Sequence, residues 1–299
     1  MKKQWVLASL LVLAAGLYSP TLAGPIPTSK CFGKQPTIAG RAQATLTGTS
    51  GPDVIVGGIK IDGKGGNDRI CSLGGFDLIN GGKGDDMIDG GDNQDSISGD
   101  DGNDVLYAQK GAIFSSGYSQ QAGGETVSYA SASGPVEVDL LAGSASGQGT
   151  DQLFGFSEIV GTPFGDTLRG GNAWNGNEIW GKGGNDVIYG SDHESDSGDY
   201  LLGGAGDDQI MGLGWYDTLW GQAGNDLLDG GAGDDSLNVG STYGYPVDFT
   251  DYGADSYQGR DGNDRILSVD GVSGNDSIDG GNDSDDCSAD SGDAVANCE

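Results

Sequence analysis

Gly81-Gly82-Lys83-Gly84-Asp85-Asp86-Met87-Ile88-Asp89 reads G-G-x-G-x-D-x-U-x, with U a large apolar residue. The nine residues before it end Asp77-Leu78-Ile79-Asn80, and the nine after it end Asp95-Ser96-Ile97-Ser98. Working outward, the sixth position is Asp68, Asp77, Asp86, Asp95 and Asp104, nine residues apart each time. The eighth position is Ile70, Ile79, Ile88, Ile97 and Leu106. A second array keeps the same spacing at Asp199, Asp208, Asp217, Asp226 and Asp235, with Leu201, Ile210, Leu219, Leu228 and Leu237 at the eighth position. Looser copies carry Asp53, Asp166, Asp186, Asp255, Asp264, Asp276 and Asp285, and Asn177 stands at one sixth position. A fixed short period of this kind is the signature of a solenoid.

The pattern has a physical reading. Glycine at positions 1, 2 and 4 permits a tight turn with positive φ. Such a turn aims backbone carbonyls inward, and the Asp at position 6 adds a carboxylate at its exit. Several hard oxygens together are what Ca²⁺ prefers. The next three residues, such as Met87-Ile88-Asp89, make a short strand whose middle residue faces one side. Two nonapeptides form one coil of 18 residues, and stacked coils sit about 4.8 Å apart. Asp68, Asp86 and Asp104 then fall in one column, and Asp77 and Asp95 in the opposite one. Asp199, Asp217 and Asp235 form a column in the second array, as do Asp208 and Asp226. The expected fold is all-β, a parallel β-roll (β-solenoid) with two repeat arrays joined by irregular β coils. Multiple Ca²⁺ ions are expected between stacked turns, and binding is expected to be coupled to folding because unneutralised columns repel.

The domain reading follows the repeats. Residues 1–23 read as a signal peptide, 24–47 as an N-terminal cap, 48–107 as the first array and 108–160 as an irregular β connecting segment. Residues 161–286 read as the second array with insertions, and 287–299 as a C-terminal cap. Lys2 and Lys3 precede an apolar run from Trp5 to Leu17, and Thr21-Leu22-Ala23 ends in a small residue. This predicts export with cleavage after Ala23. Within the connecting segment, Thr126–Tyr129, Val136–Leu140 and Leu153–Val160 read as strands, with a long turn after Leu140. The 59 glycines in 299 residues leave no persuasive helix in the mature chain.

Composition limits the partners. A net charge of −31 excludes nucleic acid and anionic membrane surfaces, and no mature segment is apolar enough to span a bilayer. The four cysteines, Cys31, Cys71, Cys287 and Cys298, allow three pairings. Local closure favours Cys31–Cys71 and Cys287–Cys298.

The repeats around Asp68–Asp104 and Asp199–Asp235 resemble the RTX, or haemolysin-type, calcium-binding repeat family. The resemblance covers most of 48–107 and 161–286. It implies a parallel β-roll with Ca²⁺ in the turns and the sixth-position aspartates as ligands. An N-terminal signal peptide, and the lack of room for a large effector, set the chain apart from many members.

Other chemistry is weaker. His193-Glu194 lacks the second His of a zinc protease motif. Gly58 to Lys64 has phosphate-loop spacing, but Gly65 replaces the required Ser or Thr. Asp85-Asp86 and Asp234-Asp235 are explained as turn residues and ligands rather than a hydrolytic pair. The reading is a non-enzymatic, secreted calcium-binding protein with a surface, matrix or structural role. The alternative is an accessory module or weak enzyme acting on extracellular polysaccharide, with Trp174, Trp180, Trp215, Tyr216 and Trp220 as a sugar-stacking face. Calcium and a polysaccharide or cell-surface component are the partner classes considered.

Overall fold

The computed structural model describes residues 27, 29–109, 124–193, 198–238, 253–269, 272 and 274–299. The expected signal peptide and its cleavage point lie outside the described residues.

A nonapeptide holds one short strand between two turns, so the chain returns to the same side after two repeats. Arg69–Cys71, Met87–Asp89 and Val105–Tyr107 accordingly lie side by side in parallel, with Ile70 opposite Ile88 and Ile88 opposite Leu106. The intervening strands Lys60–Asp62, Leu78–Lys83 and Ser96–Asp101 form a second parallel set, with Ile61 opposite Ile79 and Ile79 opposite Ile97. Continued along the chain, this gives a 15-stranded and a 12-stranded sheet and no helix among the described residues. The fold is a parallel β-roll, as the nine-residue register predicts. Some strands reach six residues because the next turn keeps pairing, as where Gly82 lies opposite Asp100 and Lys83 opposite Asp101.

The middle residue of each strand points between the sheets. Ile70, Ile88 and Leu106 come from one sheet and Ile79 and Ile97 from the other, each at most 1 % exposed. One continuous apolar cluster runs from Leu46 to Ile278. A core this narrow cannot close a void by shifting neighbours, because each coil supplies so few apolar side chains. Ile97→Ala is therefore expected to cost about 2–5 kcal/mol, read as a lower urea midpoint at saturating calcium. An unchanged midpoint would contradict a core limited to these rows.

The two arrays share the same pair of sheets. Thr126–Ser128 takes the place above Ser96–Ile97 in the 12-stranded sheet, and Glu158–Val160 follows it. In the 15-stranded sheet Thr150–Phe154 stacks on Val105–Tyr107. It then pairs antiparallel with Ser144–Ser146, which pairs antiparallel with Glu137–Asp139. Glu137–Asp139 returns to parallel pairing with Thr167–Arg169. The sequence predicts a long turn after Leu140. The turn is shorter, closed by Gly143 at φ 69° and by the Ala142 N–H donating to Asp139 Oδ1. Ser144–Ser146 is a strand that the reading missed, since Ser-Ala-Ser carries no β-branched or aromatic side chain. Pairing and the buried Ala145 hold it there.

Disulfides join Cys31 to Cys71 and Cys287 to Cys298, the pairing that local closure favours. Cys31, Val56 and Cys71 form a small separate apolar cluster at the first coils. Among the described residues no helix is long and apolar enough to cross a membrane.

Candidate metal centre

The repeat Gly81–Asp89 shows how the turn is built. Gly82 has φ 105° and Gly84 φ 117°, a region that L side chains resist. Position 1 differs from the expectation: Gly81 does not have positive φ. Glycine is required there for room, because a Cβ would run into Asp86 Oδ2. Gly99 stands in the same relation to Asp104, and Gly221 to Asp226. The missing side chain leaves a hollow on the carboxylate. Bulky residues sometimes occupy the left-handed positions instead, with Leu73 at φ 83°, Leu213 at φ 80° and Trp215 at φ 84°, a strained arrangement for such side chains.

The sixth-position aspartates are buried and form hydrogen-bonded ladders. The backbone N–H of Asp68 donates to Asp86 Oδ1 and that of Asp86 to Asp104 Oδ1, each at 2.8 Å. Asp53 precedes them, donating to Asp68 Oδ1. On the other side Asp77 N–H donates to Asp95 Oδ1 at 2.9 Å. In the second half one ladder runs Asp166, Asp186, Asp208, Asp226, Asp255, Asp276. The other runs Asp199, Asp217, Asp235, Asp264, Asp285. All 17 aspartates singled out in the sequence are thus brought into ladders along the edges of the roll.

The ladders contain members that lie outside the nine-residue spacing. Asp104 N–H donates to Asp151 Oδ1, and Asp95 N–H to Glu125 Oε2. Asn177 holds its sixth position by donating its N–H to Asp199 Oδ1. Asp151 and Glu125 both stand two residues before a buried apolar residue, Leu153 and Val127. That relation holds at every regular repeat and survives the insertion; it was the signal available in the sequence.

The second carboxylate oxygen decides the chemistry. Oδ2 of Asp68, Asp86, Asp95, Asp104, Asp186, Asp208, Asp217, Asp235, Asp264 and Asp285 is buried and makes no hydrogen bond, as are both oxygens of Asp77. A buried carboxylate oxygen without a partner is costly. The ion pairs among the described residues (Lys64–Asp62, Lys83–Asp101, Arg260–Asp229 and Arg265–Asp286) do not involve ladder carboxylates. Burial is the largest cause that pushes these acids up, and neighbouring ladder carboxylates add to it. The N–H of the preceding rung opposes both. Asp86 rises to about 7, Asp95 and Asp104 to about 8, and Asp217 to about 9.

Other ladder aspartates have both oxygens satisfied. Thr49 donates its N–H and hydroxyl to Asp53 Oδ2 at 2.7 and 2.9 Å. Thr162 donates its N–H to Asp166 Oδ2 at 2.6 Å and its hydroxyl to Oδ1 at 2.9 Å. Ser191 donates its N–H and hydroxyl to Asp199 Oδ2 at 2.7 and 3.2 Å. Hydroxyls of Tyr129, Tyr257 and Ser268 donate to Oδ2 of Asp151, Asp255 and Asp276 at 2.8, 2.9 and 2.6 Å. At Asp53 burial pushes the carboxyl up, but donors from Thr49 and Thr37 outweigh it and the group lies below the usual carboxylate range.

On the rim, position 5 alternates charge. Asn103 donates its backbone and side-chain N–H to Asp85 Oδ1, and Asn225 does the same to Asp207. These donors hold both exposed carboxyls low. The aromatic residues do not gather on one face. Trp180, Leu202 and Trp220 stand in register on the 12-stranded sheet, with Trp220 buried. Tyr107 stacks on Phe154 at 4.8 Å on the other sheet, while Trp174, Trp215 and Tyr216 lie in turns and bends.

Among the described residues no three His, Cys, Asp or Glu side chains converge as a ready ligand set. A cation in these turns therefore needs backbone carbonyls beside the carboxylates, as Ca²⁺ uses them. A family model for the RTX calcium-binding nonapeptide repeat matches residues 43–59, 62–97, 72–106, 173–194, 195–214, 216–241, 249–267 and 268–295, together more than half of the chain. The chain belongs to the RTX calcium-binding nonapeptide repeat family. No match was found among curated proteins. RTX repeats bind calcium, and the orphaned Asp oxygens beside side-chain-free glycines fit that ion. The RTX matches leave out residues 107–172, the stretch in which Glu125 and Asp151 stand where a regular repeat has its aspartate.

Proposed function

We propose that this calcium-binding repeat protein is exported, folds when calcium enters its turns, and serves as a non-enzymatic scaffold in a surface, matrix or structural setting. The observation that carries the reading is the set of buried, unbonded Asp Oδ2 atoms, which face a position-1 glycine without a side chain everywhere but at Asp77, where Ser72 holds that position. Asp68, Asp86 and Asp104, Asp77 and Asp95, Asp186 and Asp208, and Asp217, Asp235, Asp264 and Asp285 would supply the carboxylates, and turn carbonyls the remaining oxygens. Bound Ca²⁺ would remove the repulsion within each ladder. Export supports the coupling. Affinities of about 10⁻⁴–10⁻³ M, usual for extracellular modules, would leave the chain unloaded inside a cell and loaded outside it. The basic and apolar residues before Ala23 support export. The dispersed aromatic rings give no support to a polysaccharide-stacking face.

Equilibrium dialysis against millimolar calcium tests the reading directly. Several ions per chain are expected, with protons released on binding at pH 7 because the ladder carboxylates must ionise. A chain that retains no calcium at saturating concentrations would refute it.

A further inference from the structure

The ladder aspartates fall into two chemical kinds. In one, Oδ2 is buried and unbonded, as at Asp86 and Asp208. In the other, at Asp53, Asp151, Asp166, Asp199, Asp255 and Asp276, a Thr, Ser or Tyr hydroxyl donates to the carboxylate. We propose that the second kind are closed rungs that take no calcium, the hydroxyl replacing the ion. This rests on the calcium reading above and divides its sites.

Three features support the division. First, closed rungs direct donors at the carboxylate. At Asp53, Asp166 and Asp199 a backbone N–H joins the hydroxyl, from Thr49, Thr162 and Ser191. An N–H aimed at this oxygen places partial positive charge where a cation would sit. Second, the backbone differs. Thr49 and Thr162 stand at position 2, Ser191 follows Gly190 as they follow Gly48 and Gly161, and none has positive φ, whereas position 2 of an open turn is left-handed, as at Gly82. The changed turn presents a donor in place of the carbonyls that Ca²⁺ requires. Third, closed rungs occur where the nine-residue register is broken. Asp53 stands 15 residues before Asp68 instead of 18, Asp151 lies in an antiparallel strand, Asp166 follows the antiparallel detour, and Asp199, Asp255 and Asp276 follow insertions in the sequence. Calcium would then load the roll in blocks, with hydroxyl-closed rungs as their boundaries.

The closed turn at Asp53 is one substitution from an open one. Gly48-Thr49-Ser50-Gly51-Pro52-Asp53-Val54-Ile55-Val56 matches G-G-x-G-x-D-x-U-x except at Thr49. Thr49→Gly removes the hydroxyl and frees position 2 to turn left-handed.

Calcium content at saturation is compared for the full chain and for Asp86→Asn, Asp208→Asn, Asp166→Asn, Asp276→Asn and Thr49→Gly, each checked for β circular dichroism. Asp86→Asn and Asp208→Asn are expected to lose at least one ion. Asp166→Asn and Asp276→Asn are expected to keep the full content, and Thr49→Gly to gain about one ion. Loss in Asp166→Asn or Asp276→Asn equal to that in Asp86→Asn would overturn the division while leaving the calcium reading intact. Thr49→Gly keeps every carboxylate and is read even if a closed-rung Asn variant fails to fold; unchanged content there would also overturn it. A parent chain without bound calcium would instead overturn the calcium reading itself.

Discussion

Excess chelator at pH 7.5 is expected to abolish most of the β circular dichroism, and added calcium to restore it. The reason lies in what each coil contains. One large apolar side chain per nine residues is buried, while every backbone unit of those nine must be ordered. The remaining stabilisation has to come from the turns, and there the metal-free protein is at its worst. Asp68, Asp86 and Asp104 stack on one another with unbonded buried oxygens, and no Lys or Arg of the observed ion pairs reaches them. On the proposed reading calcium would neutralise the stack and coordinate the orphaned oxygens, so that its binding free energy would become folding free energy. An unchanged spectrum in excess chelator would show that core and ladder suffice without the ion.

Acid should partly do the work of calcium. In chelator, lowering the pH from about 8 toward about 5 is expected to increase β signal. Unfolded aspartates titrate near 3.8, whereas folded Asp68 titrates at about 6, Asp86 at about 7, Asp104 at about 8 and Asp217 at about 9. Between these limits the folded chain binds more protons than the unfolded chain. Stability of the metal-free roll therefore rises as pH falls through this window and is lost as pH climbs above the folded values. The gain is complete only below about pH 3.8, where the unfolded acids are also protonated. Asp53, Asp85 and Asp207, held low, act in the opposite sense, but the raised groups outnumber them. A β signal that falls steadily from pH 8 to pH 5 in chelator would contradict this.

The regular repeats were legible because three independent demands coincide at fixed positions: a left-handed turn, a carboxylate and an inward apolar residue. The reason for glycine at position 1 was not legible. It depends on Asp86 Oδ2 lying over Gly81, a contact made only when the turn has closed. Glu125 and Asp151 are not legible in the same way because they fall outside the nine-residue spacing, and Asp151 sits on an antiparallel detour. Only their distance from Val127 and Leu153 betrays them. Closure of Asp53 and Asp166 can be read from Thr at position 2. Closure of Asp151 cannot, since Tyr129 arrives from just beyond the strand Thr126–Ser128 in the opposite sheet.

The disulfides at the two extremities bear on how the roll comes apart. In a stack where each coil touches only its neighbours, terminal coils fray first and unzipping proceeds inward. Cys31–Cys71 ties the leading segment to the strand Arg69–Cys71, and Cys287–Cys298 ties the tail to the strand Asp286–Ala289. Each end is thus stitched shut. Melting must then begin inside the stack, where two interfaces break at once, and the redox state of the surroundings governs the lifetime of the fold as well as its stability.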